Sequence, residues 1–377
     1  MTLCHIVPSL ALRHGGPSRS VFNLCSALGA AGHATDLLTT TTPDEGAPPS
    51  GGNPSFRVHC FARGRPRRIC PSEELRRWLG RAEVSLVHHH ALWLRTLHYA
   101  RRHAQRAGIP LVLSPRGMMS RWAWHHHPWR KALARALVHP GAFEAVSGWH
   151  ATSTEEADEI RALGFAQPIC VAPNGVDAPP AGEQAVARQF WQERCPATLT
   201  QRVALFYSRL HPKKRVLELI DAWLQHAPAD WLLLIVGIPQ DYTPESLSRY
   251  VFRAGGSGRV AVFSGVDTPA PYAVASLFLL PSHNENFGLV IAEAMAHGVP
   301  VLVTDTTPWQ AVHDRELGWC VSWERYGAAL RTATTEPAER LRQRGDGARA
   351  WVLREFAWER SARILADFYP TLSPVRA

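Results

Sequence analysis

Short apolar runs alternate with segments of helical spacing along nearly the whole chain. Residues 3–9, 34–39, 84–90, 109–114, 144–152 and 169–173 read as strands, several of them apolar almost throughout, as strands covered on both faces are. Between them, 20–32, 95–108, 128–139 and 153–164 place apolar side chains at helical spacing. Repeated β-α order predicts a mostly parallel sheet. Residues 178–200, rich in proline, alanine and polar side chains, interrupt the rhythm and read as a connection followed by a helix. The rhythm then restarts, with strands at 202–208, 231–237, 259–265, 275–282, 299–305 and 318–322 and helices at 214–227 and 289–298. The helical stretch 346–369 is too long for the last sheet unit, so it is expected to bend and return to the first domain. The pattern therefore predicts an α/β chain divided into a first domain (1–177), a linker and helix (178–200), a second domain (201–355) and a crossover helix (356–377). A cleft is expected between the domains, since ligands of such sheets bind beyond the carboxyl ends of the strands.

Composition agrees with two buried cores. The chain has 377 residues, 46% hydrophobic and 19% charged, which excludes disordered and fibrous classes. No stretch reaches the roughly 18 uncharged apolar residues of a membrane span, and the opening has no basic leader, so a cytoplasmic protein is expected. Seven cysteines at wide spacing, without a C-x-x-C pair, suit a reducing compartment. The formal charge of +9 is concentrated on one side: from Arg57 to Arg135 the only acids are Glu73, Glu74 and Glu83. That imbalance favours an anionic partner.

Candidate chemistry gathers at strand ends. Residues 281–305 form a strand end, a turn and a helix, whose first-turn N–H groups at Gly288 and Leu289 can receive an anion. Glu285 lies before that helix and Glu293 inside it, suited respectively to sugar hydroxyls and to the two hydroxyls of a ribose. The plainer alternatives are helix capping for Glu285 and a solvated face for Glu293. Arg209 and Lys213 or Lys214 follow the first strand of the second domain, where two cations suit a diphosphate. Gly15 and Gly16 form a tight turn after the first strand, without the G-x-G-x-x-G pattern of dinucleotide binding. His88, His89 and His90 follow one another on a strand, and 125–127 repeats the triplet, but neither has a spaced third ligand and acidic partner for zinc hydrolysis. Arg116 ends another strand. Trp122, Trp124, Trp129, Arg130 and Lys131 form an aromatic-basic stretch, read either as a buried cluster or as a surface for an anionic membrane or a lipid-linked acceptor. Nucleic acid is not expected.

Together these segments resemble the GT-B retaining glycosyltransferases of family 4. The likeness rests on 285–293, similar to the E-x7-E element, on 208–214, similar to the diphosphate-holding element, on 172–177, on the glycine pair 15–16 and on the closing helices at 356–369. It covers most of the chain and is weakest from about 40 to 110. The resemblance implies two Rossmann-like domains and a UDP-, GDP- or ADP-sugar as co-substrate, with no cofactor and no obligatory metal. It implies ribose binding by Glu293, sugar orientation by Glu285, and diphosphate contacts from Arg209, Lys214, Gly288 and Leu289. Gly15 and Gly16 would lie near the donor phosphates and the acceptor. A saccharide or isoprenoid-linked acceptor in cell-surface polysaccharide or lipopolysaccharide synthesis would follow, at the inner face of the cell membrane. Two positions depart from the pattern: Ser208 stands where glycine is common, and Arg116 stands near a usual histidine, a place also open to His88, His89 or His90. The rival functions are a nucleotide-sugar-binding or scaffold protein without turnover and a GT-B epimerase or phosphorylase.

Overall fold

The computed structural model describes residues 1–11, 16–46 and 53–375, apart from the side chain of Trp122. The chain divides into two compact units, one of Met1–Gly175 with Phe356–Ala377 and the other of Val176–Glu355.

The first unit holds a seven-stranded sheet of β1 (Thr2–Val7), β2 (Ala34–Thr41), β3 (Phe56–Ala62), β4 (Leu86–His90), β5 (Leu111–Ser114), β6 (Gly148–Ala151) and β7 (Ile169–Val171). Its order is β3-β2-β1-β4-β5-β6-β7, and every pair is parallel. Strand alternation decides what each face packs against. Leu3 joins a cluster with Leu24, Leu28, Trp358, Leu365 and Tyr369. Cys4 and Ile6 point the other way, toward Leu75, Leu79, Ala100 and Ala104. Helices therefore cover both faces, which is why β4, β5 and β6 are buried at every position.

Local signals set the helix ends. Ser153 caps helix Thr154–Ala162 by accepting from the Glu156 N–H at 3.2 Å, with Glu155 and Glu156 in the first turn. Gly108, in the left-handed region, closes Arg95–Ala107. Strand β3 and helix Glu73–Arg81 were not expected from the sequence. The strand is half-buried and the helix mostly exposed, so neither carries a long apolar run.

The second unit holds β8 (Arg202–Leu210), β9 (Trp231–Pro239), β10 (Val260–Ser264), β11 (Leu277–Leu280), β12 (Val301–Thr304) and β13 (Gly318–Val321). They pair in parallel in the order β10-β9-β8-β11-β12-β13. Helix Ala181–Arg194, read from the sequence as part of a linker, packs within this unit: buried Trp191 donates to the Pro269 carbonyl at 2.9 Å and meets Phe263 edge-on. The closing helical stretch is two helices, Ala338–Glu355 and Trp358–Phe368, parted by an extended Ala357. The second returns to the first unit, where Trp358 lies so close to Gly175 that a Cβ there would stand 2.3 Å from the indole. Among the described residues no helix is long and apolar enough to cross a membrane.

Candidate active site

In the second sheet the chain runs outward from β8 in both directions, to β9 on one side and to β11 on the other. A crevice opens at such a reversal, beyond the carboxyl ends of the two central strands. Lys214, from the turn after β8, and Glu285, from the turn after β11, meet there as an ion pair. Their side chains are only 7% and 10% exposed. Burial alone would raise the Glu285 carboxyl, but Lys214, a Ser282 hydrogen bond and the nearby Lys213 charge bring it below its ordinary value. The carboxylate is thus ionised and shielded.

The turn carrying Glu285 is tied from both sides. The Lys213 carbonyl accepts from the His283 N–H at 2.8 Å and the Ser282 hydroxyl at 3.1 Å. On the β12 side, the Ser282 carbonyl accepts from Thr304 and Thr306 at 2.7 and 2.6 Å, and the Thr306 carbonyl accepts from the Glu285 N–H at 3.2 Å. Trp309 donates its indole N–H to the Phe287 carbonyl. These bonds hold the turn so that Gly288 enters helix Leu289–Ala296 at φ 76°, a conformation that disfavours any side chain. Glu285 does not cap the helix, since no side chain does. Glu293, about a turn inside, accepts from the Tyr272 hydroxyl at 2.9 Å, so it lies in a bonded setting rather than on a solvated face.

The predicted residues are not all together. Lys214, Glu285 and Gly288 are neighbours, the Glu285 chain lying 3.5 Å from where a Gly288 Cβ would be. Arg209 is exposed at the end of β8 and donates to Gln240 at 3.3 Å. Leu289 opens the helix. Tyr272 was missed, because the 3-10 turn Pro271–Val274 has no motif.

In the first unit the sheet order reverses between β1 and β4, and the same principle places chemistry at that crevice. Residue alternation sorts the histidine triplet. His88 and His90 share a face with His5 of β1, while His89 points away to Thr96 and the Ala91 carbonyl. His5, His88 and His90 are fully buried, with ring nitrogens within 4.8 Å of one another. Arg116, in the left-handed region after β5, is also buried and donates to Asn174 at 2.7 Å and to His90 Nδ1 at 3.1 Å. A guanidinium only donates, so His90 carries its proton on Nε2 and passes it as a hydrogen bond to His5 Nδ1 at 3.1 Å. His88 Nδ1 pairs with the Tyr369 hydroxyl at 2.9 Å, tying the cluster to the returning C-terminal segment. Burial and the Arg116 charge lower His5 to about 3, so it is neutral at ordinary pH. A divalent cation here would sit beside Arg116 with no carboxylate in the group, which disfavours a metal.

His5, Asn174 and His150, whose ring stands edge-on to His88 with centroids 5.1 Å apart, were not among the sequence candidates. His5 and His150 each break an apolar strand pattern, a signal that was available. Gly15 lies outside the described residues, and Gly16 is the exposed first residue of helix Gly16–Ala30. The aromatic-basic stretch is partly redirected. Trp124 is half-buried against Trp93 and Phe143, and Lys131 donates to the carbonyls of Ala123, Trp124 and His126.

Comparison with known proteins agrees with this architecture. Residues 14–178 match the family model described as Glycosyltransferase Family 4, and 201–335 match that described as Glycosyl transferases group 1. The D-inositol 3-phosphate glycosyltransferase of Segniliparus rotundus is 29% identical, over 96% of this chain and 87% of its own length. That of Xylanimonas cellulosilytica is 31% identical, but the match spans 58% of this chain and 55% of the relative. Among solved structures, a sucrose-phosphate synthase from Thermosynechococcus elongatus aligns with a TM-score of 0.76 at 22% identity, covering 98% of this chain and 99% of its own. Anabaena HepE in complex with UDP-glucose aligns at 0.71 and 20% identity, over 99% of this chain and all of that one. With two parallel Rossmann-like sheets, glycosyltransferase models matching both units and whole-chain likeness to such folds, this protein belongs to the family 4 glycosyltransferases, sugar-transferring enzymes of GT-B fold.

Proposed function

We propose that the second unit binds a nucleoside-diphosphate sugar and that the enzyme transfers the sugar, with retention and without a metal, to a saccharide or isoprenoid-linked acceptor. One observation carries this: the buried Lys214–Glu285 pair stands beside the Gly288-led helix at the switch point of the sheet. In this reading Lys214, Arg209 and the N–H groups of Gly288 and Leu289 receive the diphosphate and stabilise its charge as the sugar departs. Glu293 takes the ribose hydroxyls, and its bond from Tyr272 fixes its rotamer. Glu285, kept ionised by Lys214, orients the donor sugar. A donor phosphate oxygen helps remove the acceptor proton on the leaving-group face. In the first unit, Arg116, Gly15 and Gly16 are assigned to the acceptor. HepE is described with UDP and UDP-glucose, which makes uridine donors the first to test. The acceptor would belong to cell-surface polysaccharide synthesis, with the enzyme resting on an anionic membrane.

The test compares two variants with the parent. Glu285→Gln should lower kcat by about 100-fold or more while donor affinity stays nearly constant. Glu293→Ala should weaken donor binding by about 10-fold to 100-fold, the worth of charged hydrogen bonds. Full activity in both would reject the assignment. Donor binding by a parent that transfers nothing to any acceptor would instead point to a binding protein.

A further inference from the structure

The helical segment Pro128–Leu133, continued by Ala134–Val138, carries an apolar ridge that nothing in the fold explains. Trp129, Leu133 and Leu137 recur every four residues and are 63%, 52% and 65% exposed. That spacing puts them along one side of the helix. Large apolar side chains so exposed are few among the described residues, and three within nine positions form a patch rather than a scatter.

The charge around the ridge is one-sided. No acid occurs from Arg116 to Phe143, while Arg121, Arg130, Lys131 and Arg135 all fall within it. Arg130 stacks over the Trp129 ring, with its guanidinium carbon 5.1 Å from the centroid. Arg135 reaches Glu144 at 3.0 Å, so it is partly neutralised. Lys131 is turned inward onto carbonyls and fixes the segment's foot. A mostly apolar concavity of about 410 Å³ opens beside it, lined by Trp93, Met118 and Ala123 among others.

We infer that Trp129, Leu133 and Leu137 form a bilayer-seating ridge that inserts among the headgroups of an anionic membrane, with Arg130 beside the lipid phosphates. Aliphatic side chains flanked by arginine suit the boundary between headgroup and acyl chain, and tryptophan settles at that level. Nucleic acid would need aromatic platforms, and Leu133 and Leu137 supply none. The ridge rests on the membrane placement proposed above: it keeps Trp129 and Arg130 of the aromatic-basic stretch read from the sequence, adds Leu133 and Leu137, and leaves out Trp124 and Lys131, which are engaged within the fold.

The experiment is co-sedimentation of the full chain with vesicles of phosphatidylcholine containing phosphatidylglycerol, against phosphatidylcholine alone. The parent should bind the anionic vesicles, and added salt should weaken that binding. Leu133→Asp with Leu137→Asp should reduce it by about tenfold or more. Arg130→Gln should reduce both binding and its salt sensitivity. Since all three side chains lie outside the core, the variants should keep the parent's unfolding temperature and its stabilisation by a donor nucleotide. A parent that ignores vesicles, or an Asp variant that binds them equally, overturns the ridge and leaves sugar transfer standing. So does a parent that dimerises in sedimentation velocity, loses the dimer on Asp substitution and never binds vesicles, because the ridge then fits a second copy.

Discussion

Lys214 and Glu285 come from positions 71 residues apart, and their pairing decides how each can act. Withdrawn from water, each charge depends on the other. Lys214→Met should therefore lower unfolding stability by about 3–5 kcal/mol, the usual consequence of stranding one buried charge. Adding Glu285→Gln should recover part of that loss, because the stranded charge is gone. A urea-denaturation cycle over the parent, both single variants and the double variant measures the coupling directly, and additive losses would contradict the pair. The E-x7-E spacing was legible because both glutamates lie on one short segment. Their partners were not: Tyr272 is 21 residues from Glu293, and His5 is 85 from His90. Such bonds exist only once the sheet has brought strand ends together. Arg116 was legible as a cation at a strand end, but its neutral cradle of Asn174 and His90 was not.

At the level of elements, the site depends on one turn. Gly288 holds φ 76°, and a Cβ there would lie 2.8 Å from Ile291 Cδ1. Gly288→Ala should lower stability by about 1–2 kcal/mol from backbone strain alone. It should also weaken donor binding, since the turn must shift to relieve the clash. Unchanged urea midpoint and donor affinity would show that the turn has slack. The strands were readable wherever helices cover both faces, because continuous burial requires continuous apolar sequence. Edge strand β3, the surface helix Glu73–Arg81 and the helix Pro244–Arg253 lie half in water and show mixed patterns. The packing of Ala181–Arg194 was equally hidden, as its anchor Trp191 gives no hint of which unit it enters.

For the whole molecule, the buried histidines make the fold sensitive to mild acid. His5, His89 and His150 are lowered by burial to about 3, while the unfolded chain protonates near 6.5. Below that value the unfolded state binds more protons, so the histidines' contribution is complete above about pH 6.5 and declines as pH falls toward 3. Each adds up to about 1.4 kcal/mol per pH unit within that window. Urea midpoints should thus begin to drop below about pH 6.5, before ordinary carboxylates titrate, and His5→Asn should flatten the slope by about one proton. A midpoint constant down to pH 5 would contradict neutral burial of the cluster.

The most direct test of the account is thermal unfolding of the parent and Glu293→Ala with a panel of UDP-, GDP- and ADP-sugars. At about one hundred times its dissociation constant a true donor stabilises the folded state by about 2.7 kcal/mol. The account predicts a raised unfolding temperature for the parent with at least one nucleotide family and a clearly smaller shift for Glu293→Ala, whose weaker binding leaves about 0.4–1.4 kcal/mol of that stabilisation. No shift with any nucleotide sugar, or equal shifts in both proteins, would contradict it.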